Sequence, residues 1–180
     1  MSGRTPDHIA RLVPRLGLTG TERILELGAA PGAAVAEIGR LLTGDGHVTA
    51  LDRSAVGVRR IRERNRDLVD AGRLTVVEQD LTTLEADGPP RFDVIFASNV
   101  NVFWTHPARA DVGTLAALLV PGGRLHLFYG YGDGDSPGPD SGRDIGGLVA
   151  ATLERSGALV AVTVDGAGAP LEIRATKGRD

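Results

Sequence analysis

Arg23 to Ala33 reads "RILELGAAPGA", an apolar run followed by an acid, a glycine, two alanines, a proline and a second glycine. Glycine-rich turns behind a buried strand bring backbone N–H groups up to a nucleotide, and a pyrophosphate wants glycine at three positions of that turn. This stretch has only Gly28 and Gly32, Pro31 has no N–H to donate, and Glu26 would repel a phosphate. A close-approach glycine turn beside a carboxylate suits a ligand with a cationic or amino end. Asp52, in "TALDRS", lies 24 positions past Gly28. A carboxylate at that place can accept both hydroxyls of a ribose, although Asp52 also reads as the cap of a following helix. Asp80, in "VVEQDL", could accept the amino group of an adenine while the Leu81 N–H donates to a ring nitrogen; aspartate is also simply common at such turns. Ser98 and Asn99 then open an aromatic, polar run holding Phe103, Trp104 and His106. For Trp104, the only tryptophan, packing beneath a loop and stacking on a substrate both remain open.

These residues share a place, the ends of β-rich runs. Candidate strands are 23–27, 47–51, 74–78, 92–97, 124–129, 158–164 and 171–176. Between them, apolar residues recur at helical spacing: Val35, Ile38, Leu41 and Leu42; Val58, Ile61, Leu68 and Val69; Val112, Leu115, Leu118 and Leu119; Ile145, Leu148, Val149 and Leu153. Pro107 suits the first turn of the third helix, and "PGG" at 121–123 reads as its stop. Strands separated by helices pair in parallel through right-handed crossovers. Only "DGAGAP" separates the last two strands, too short for a crossover, so they form an antiparallel hairpin. The expected fold is α/β, a Rossmann-like doubly wound seven-stranded sheet, mostly parallel with strand seven antiparallel. In such sheets ligands bind beyond the carboxyl ends of the strands, at the switch point. A leading helix, residues 6–16, carries Ile9, Leu12, Val13 and Leu16 on one face, with Thr5 as its cap and Pro14 as a source of a kink. It is expected to fold over the site as part of a single domain, residues 1–180. The glycine-rich, acidic stretch 129–147, with Tyr129 and Tyr131 at its start, follows the fifth strand and sits on the ligand edge of the sheet.

Composition narrows the chemistry. The 180 residues include no cysteine, which removes disulfides, thiolate metal sites and cysteine nucleophiles; no metal site is expected. A formal charge of −3, with arginines in "RRIRERNR" spread around a helix and diluted by Glu63, argues for a solvated face over a nucleic-acid surface. There is no run of about 18 apolar residues to span a membrane and no signal-like apolar core at the start, so a cytoplasmic protein is expected.

In order and spacing these segments resemble the class I S-adenosylmethionine-dependent methyltransferases over essentially the whole chain. "ELGAAPGA" is similar to that family's first motif, "ALDRS" to the second, "EQDL" to the third, "FDVIFASNVNVFW" to the fourth, and "LVPGGRLHLF" to the run into strand five. The resemblance implies S-adenosylmethionine as cofactor, S-adenosylhomocysteine as product, and a seventh strand lying between the fifth and sixth. It implies that Glu26 and Gly28 hold the methionine end, that Asp52 takes the ribose hydroxyls, and that Asp80 and Leu81 read adenine. Ser98 approaches from strand four, and Ala29, Ala30, Gly32, Arg53 and Asn99 complete the cofactor contacts. Ala30 departs from the family, where most members have glycine. "GAAPG" also resembles the ribosomal-RNA 2′-O-methyltransferases, but their lysine tetrad has no counterpart in a chain whose only lysine is Lys177. The Asn-Pro-Pro-aromatic signature of nucleic-acid amino methyltransferases is absent as well. The implied activity is O- or N-methylation of a small molecule in a biosynthetic pathway, with Phe103, Trp104, Tyr129 and Tyr131 suited to an aromatic or polyketide-like acceptor. Should the acceptor need a general base, His106 comes first and His8 second, whereas His126 reads as core and His47 as distant. Two alternatives stand beside this reading: a non-methylating reaction on the same cofactor, such as cyclisation, and a non-catalytic accessory protein. The acidic loop and short leading helix leave room for a second copy, a homodimer, to cover the site.

Overall fold

The computed structural model describes residues 4–88, 91–105, 109–130, 144–166 and 170–179, with no side-chain detail at 109 and 110. His106, Pro107 and Tyr131, with most of the 129–147 stretch, lie outside them. Apolar strands and amphipathic helices alternate as the sequence periodicity requires. The order is α1 (Asp7–Arg15), β1 (Arg23–Leu27), α2 (Ala33–Gly39), β2 (His47–Asp52), α3 (Ala55–Arg64), α4 (Arg66–Asp70), β3 (Leu74–Glu78), β4 (Phe92–Ser98), α5 (Val102–Thr105), α6 (Arg109–Leu118), β5 (Leu119–Tyr129), α7 (Ile145–Ser156), β6 (Val160–Asp165) and β7 (Leu171–Thr176). One seven-stranded sheet runs β3-β2-β1-β4-β5-β7-β6, with β7 antiparallel to both β5 and β6. This is the Rossmann-like doubly wound sheet expected from the sequence, with the seventh strand between the fifth and sixth, and its crossover direction switches between β1 and β4.

Alternation along the central strands builds a core on each face. Ile24, Val48, Val94, Phe96 and Phe128 pack with Ile9, Leu12, Val35, Ile38 and Ile61 from α1, α2 and α3. Leu25, Leu27, Ile95, Ala97, Leu125 and Leu127 pack with Phe103, Val112, Leu115 and Val149 from α5, α6 and α7. Strands apolar on both faces are what two helical layers demand.

Several element ends depart from the sequence reading. The helix spanning Val58 to Val69 is broken at Asn65 (φ −118°, ψ 34°), whose buried amide donates to the Gly32 and Ile61 carbonyls. Pro121–Gly123 does not merely stop a helix but lies inside β5, where Gly122 donates to Lys177 and Lys177 donates to Gly123. Pro6, not Thr5, occupies the N-cap of α1, and the Thr5 hydroxyl donates instead to Glu37 on α2.

Candidate functional site

The first strand delivers Glu26 to the same face as Ile24, between Ala50 of β2 and Phe96 of β4. There it is 4% exposed, and its Oε2 has no partner among the described residues. Burial first, and then the charge of Asp52, push its carboxyl up to about 8. The chain then turns at Gly28, where φ is +67° and a Cβ would lie 2.9 Å from Val100 Cγ2. Glycine is required there twice over, by backbone conformation and by the close approach of the loop after β4.

Asp52 ends β2 8% exposed. Its Oδ2 accepts the Ala30 N–H at 3.0 Å and its Oδ1 accepts the Ser54 N–H at 2.9 Å. The helix cap is Ser54, whose hydroxyl accepts the Gly57 N–H, so Asp52 is free of that duty and instead ties the glycine turn to the start of α3. Asp80 begins a short 3₁₀ turn and accepts both the N–H and the hydroxyl of Thr82. Those bonds, the backbone one foremost, hold it below the usual carboxylate range, and the charge of Arg53 adds to them. At the end of β4, Asn99 adopts φ +57°; its N–H donates to the Phe128 carbonyl and its Oδ1 accepts the Gly130 N–H at 2.8 Å. Beside it the Tyr129 hydroxyl donates to the Val100 carbonyl at 3.0 Å, so β4 and β5 are clasped together at the ligand edge.

A cleft of about 620 Å³ opens among these strand ends. Gly28, Ala30, Asp52, Arg53, Asp80, Leu81, Ser98 and Asn99 line it, all of them expected from the sequence. Glu26, Ala29 and Gly32 lie beneath the turn, buried. Sequence reasoning missed Gln79, Thr82, Val100, Asn101, Val102 and Thr105, which also line the cleft. Gln79 and Thr82 flank the third motif, and 100–105 follows the fourth, so adjacency to the motifs was the available signal. The proposed acceptor contacts fare differently. Phe103 is fully buried in the core, because α5 turns its ring under the loop against α6 and α7. Tyr129 is 3% exposed, and burial raises its phenol pKa. Trp104 packs partly buried against the same core, and its indole N–H finds no partner among the described residues. His8 does not line the cleft, since α1 packs across the α2 face rather than over the strand ends. His126 is core, as expected, at 1% exposure.

Residues 24–123 match the family described as the methyltransferase domain. The chain belongs to this family. No curated protein matches it significantly in sequence. Among solved structures, an S-adenosylmethionine-dependent methyltransferase from Aquifex aeolicus superposes with a TM-score of 0.72 at 17% identity, over 96% of this chain and 90% of that one. A possible exported protein from Bordetella parapertussis gives 0.72 at 14% identity, over 95% of this chain and 66% of that one. Magnesium protoporphyrin IX methyltransferase from Synechocystis, with S-adenosylmethionine bound, gives 0.65 at 17% identity, over 94% and 78%. At these identities the likeness is one of fold. As a class I methyltransferase the chain is an enzyme, and its cofactor is S-adenosylmethionine. The residues present fit that cofactor: Asp52 and Asp80 stand at two successive strand ends in the cleft's lining, and Glu26, buried behind that lining one position before Leu27, keeps an unpartnered carboxylate oxygen that complements an ammonium. Among the described residues no helix is long and apolar enough to cross a membrane.

Proposed function

We propose that this methyltransferase alkylates an oxygen or nitrogen of a small diffusible molecule. The observation that carries the reading is the acid-lined cleft at the β1/β4 switch point, into which three strand ends bring Gly28, Asp52 and Asp80. Bound there, the cofactor supplies a methyl group already activated by its sulfonium charge. Ionised Glu26 pairs with the ammonium of the methionine end. Each oxygen of Asp52 accepts one backbone N–H and keeps a lone pair for a ribose hydroxyl. Asp80 and Leu81 border the adenine, while Ser98 and Asn99 face the end of the cleft nearest β5. The protein's share of the catalysis is alignment and exclusion of water, which suits a reaction whose driving force lies in the leaving group. Of the two expected bases, His8 does not line the cleft, and His106 is outside the described residues.

A net charge of −3 and an acidic rim disfavour a polyanionic acceptor, since nucleic-acid binding depends on neutralising phosphates with basic side chains. The small-molecule substrate named for the Synechocystis neighbour supports the same reading by analogy of fold. A cysteine-free chain acting on a diffusible acceptor is proposed to work in the cytoplasm. Calorimetry with S-adenosylmethionine and S-adenosylhomocysteine tests the cofactor site, and binding of neither would overturn it. Asp52→Ala is expected to weaken binding about tenfold or more, from the loss of hydrogen bonds to a charged group. Release of S-adenosylhomocysteine in step with acceptor consumption separates methyl transfer from other reactions on the same cofactor.

A further inference from the structure

The Ala30 methyl at the turn has its counterpart elsewhere in the chain. Gly57 is the third residue of α3 and is buried. Its φ is not positive, so the backbone does not demand glycine, and alanine would favour the helix. Space explains it. A Cβ at position 57 would stand 2.9 Å from Ala30 Cβ, 2.9 Å from Asp52 Oδ1 and 3.1 Å from Asp52 Cγ. All three atoms belong to the two residues joined by the Ala30 N–H to Asp52 Oδ2 bond. The Gly57 N–H is meanwhile held by Ser54, and the Ser54 N–H donates to Asp52, so this turn of α3 cannot simply swing away.

We propose that Gly57 is a positioning residue for cofactor binding: the side chain it lacks makes the room in which the first turn of α3, the Ala30 methyl and the Asp52 carboxylate fit together. Ala30 and Gly57 then act as a pair, one placing a methyl at the turn and the other leaving the helix bare to receive it. A methyl at 57 must displace the carboxylate or the turn, and either movement takes Asp52 away from the ribose hydroxyls. The inference rests on the assignment of Asp52 to the ribose.

The test compares S-adenosylhomocysteine with its 2′,3′-dideoxyribose analogue by calorimetry, alongside thermal melting. The ratio of the two affinities reads the ribose contact itself, which a general loss of stability does not move. The wild type is expected to prefer the natural ligand about tenfold or more, and Asp52→Ala to abolish the preference. Gly57→Ala is expected to cut the preference to about threefold or less, whatever its melting temperature. Adding Ala30→Gly removes one of the three close contacts but leaves the two with Asp52, so the double variant should lie between Gly57→Ala and the wild type. An undiminished preference in Gly57→Ala, with Asp52→Ala lacking it, overturns the role of Gly57 and leaves the ribose assignment standing. No preference in the wild type, or an intact one in Asp52→Ala, overturns the ribose assignment and this inference with it. If Gly57→Ala does not fold, the double variant carries the test: a reduced preference supports the proposal, and an undiminished one overturns it.

Discussion

A carboxyl group that is 4% exposed, has an unpartnered Oε2 and feels the charge of Asp52 keeps its proton far above the ordinary value. For Glu26 the shift runs from 4.5 to about 8. Because the folded value is raised, the group's contribution to stability is full below about pH 4.5 and is lost as pH rises through about 8. The unliganded protein is therefore expected to melt at lower temperature at pH 8 than at pH 6, with Glu26→Gln reducing that slope. Ligand binding should show the complementary trend. An ammonium beside the carboxylate favours the ionised form, so cofactor affinity should rise by up to about tenfold per pH unit between pH 6 and 8. It should turn over once the cofactor's own α-amino group deprotonates, near pH 8 for such amines. Calorimetry at pH 6, 7, 8 and 9 checks both limbs. An affinity that is flat in the wild type, or equally steep in Glu26→Gln, would remove Glu26 from the ammonium.

At the level of elements, α1 is held by a polar clasp as well as by its apolar stripe. Arg15, in its last turn, bonds Glu172 of β7, Asp165 of β6 and the Pro170 carbonyl, and its guanidinium lies 5.7 Å from the centre of the Phe128 ring. Glu172 in turn meets His126 Nδ1 at 2.7 Å. Burial lowers the His126 pKa despite that partner, and the bonds from His126 and Arg15 lower that of Glu172. The signs agree: His126 contributes stability above its ordinary 6.5 and Glu172 above its ordinary 4.5, and both contributions fade as pH falls below those values. This trend runs against that of Glu26, so a drop in melting temperature on acidification from pH 7 to 5 is expected in Glu26→Gln, where the opposing slope is removed. Glu172→Ala, which leaves a buried donor unmatched, should cost about 2 kcal/mol, or about 4–8 °C. An unchanged melting temperature in that variant would show that α1 is held by its apolar face alone. None of this clasp was legible in the sequence, because it joins residues 15, 126 and 172, which only the sheet order brings together. The strand ends were legible, since apolar runs of two-faced strands announce themselves and the acids at their ends stand out. The breaks were not. The Asn65 break depends on the distant Gly32 carbonyl, and Pro121–Gly123 enters β5 because Lys177, after the last strand, bonds to it. Phe103 looked like an acceptor contact because a ring in a loop cannot be told from a ring beneath one until the core is seen.

Across the whole molecule, the site draws on one half of the sheet. The cleft takes its walls from the segments that follow β1, β2, β3 and β4, whereas β6, β7 and α7 contribute nothing to its described lining. The outer half is also the less enclosed: β6 is the free edge strand, with Val160 and Val164 half exposed. A ligand that touches four separate loops can bind only when the strands that carry them are aligned, so its binding energy adds to global stability. At a free concentration of about 100 times Kd that gain is about 2.7 kcal/mol. For a domain of this size the corresponding rise in melting temperature is about 5–11 °C. Local protection should be uneven as well. Amide exchange with S-adenosylhomocysteine present is expected to slow most at 28–32, 52–54, 79–82 and 98–101, and least along β6, whose outer N–H groups have no neighbouring strand among the described residues. Protection that instead centres on β6 and α7 would place the ligand outside the cleft at the β1/β4 switch point. A melting shift without slowing at 52–54 would keep the cleft but take Asp52 out of it.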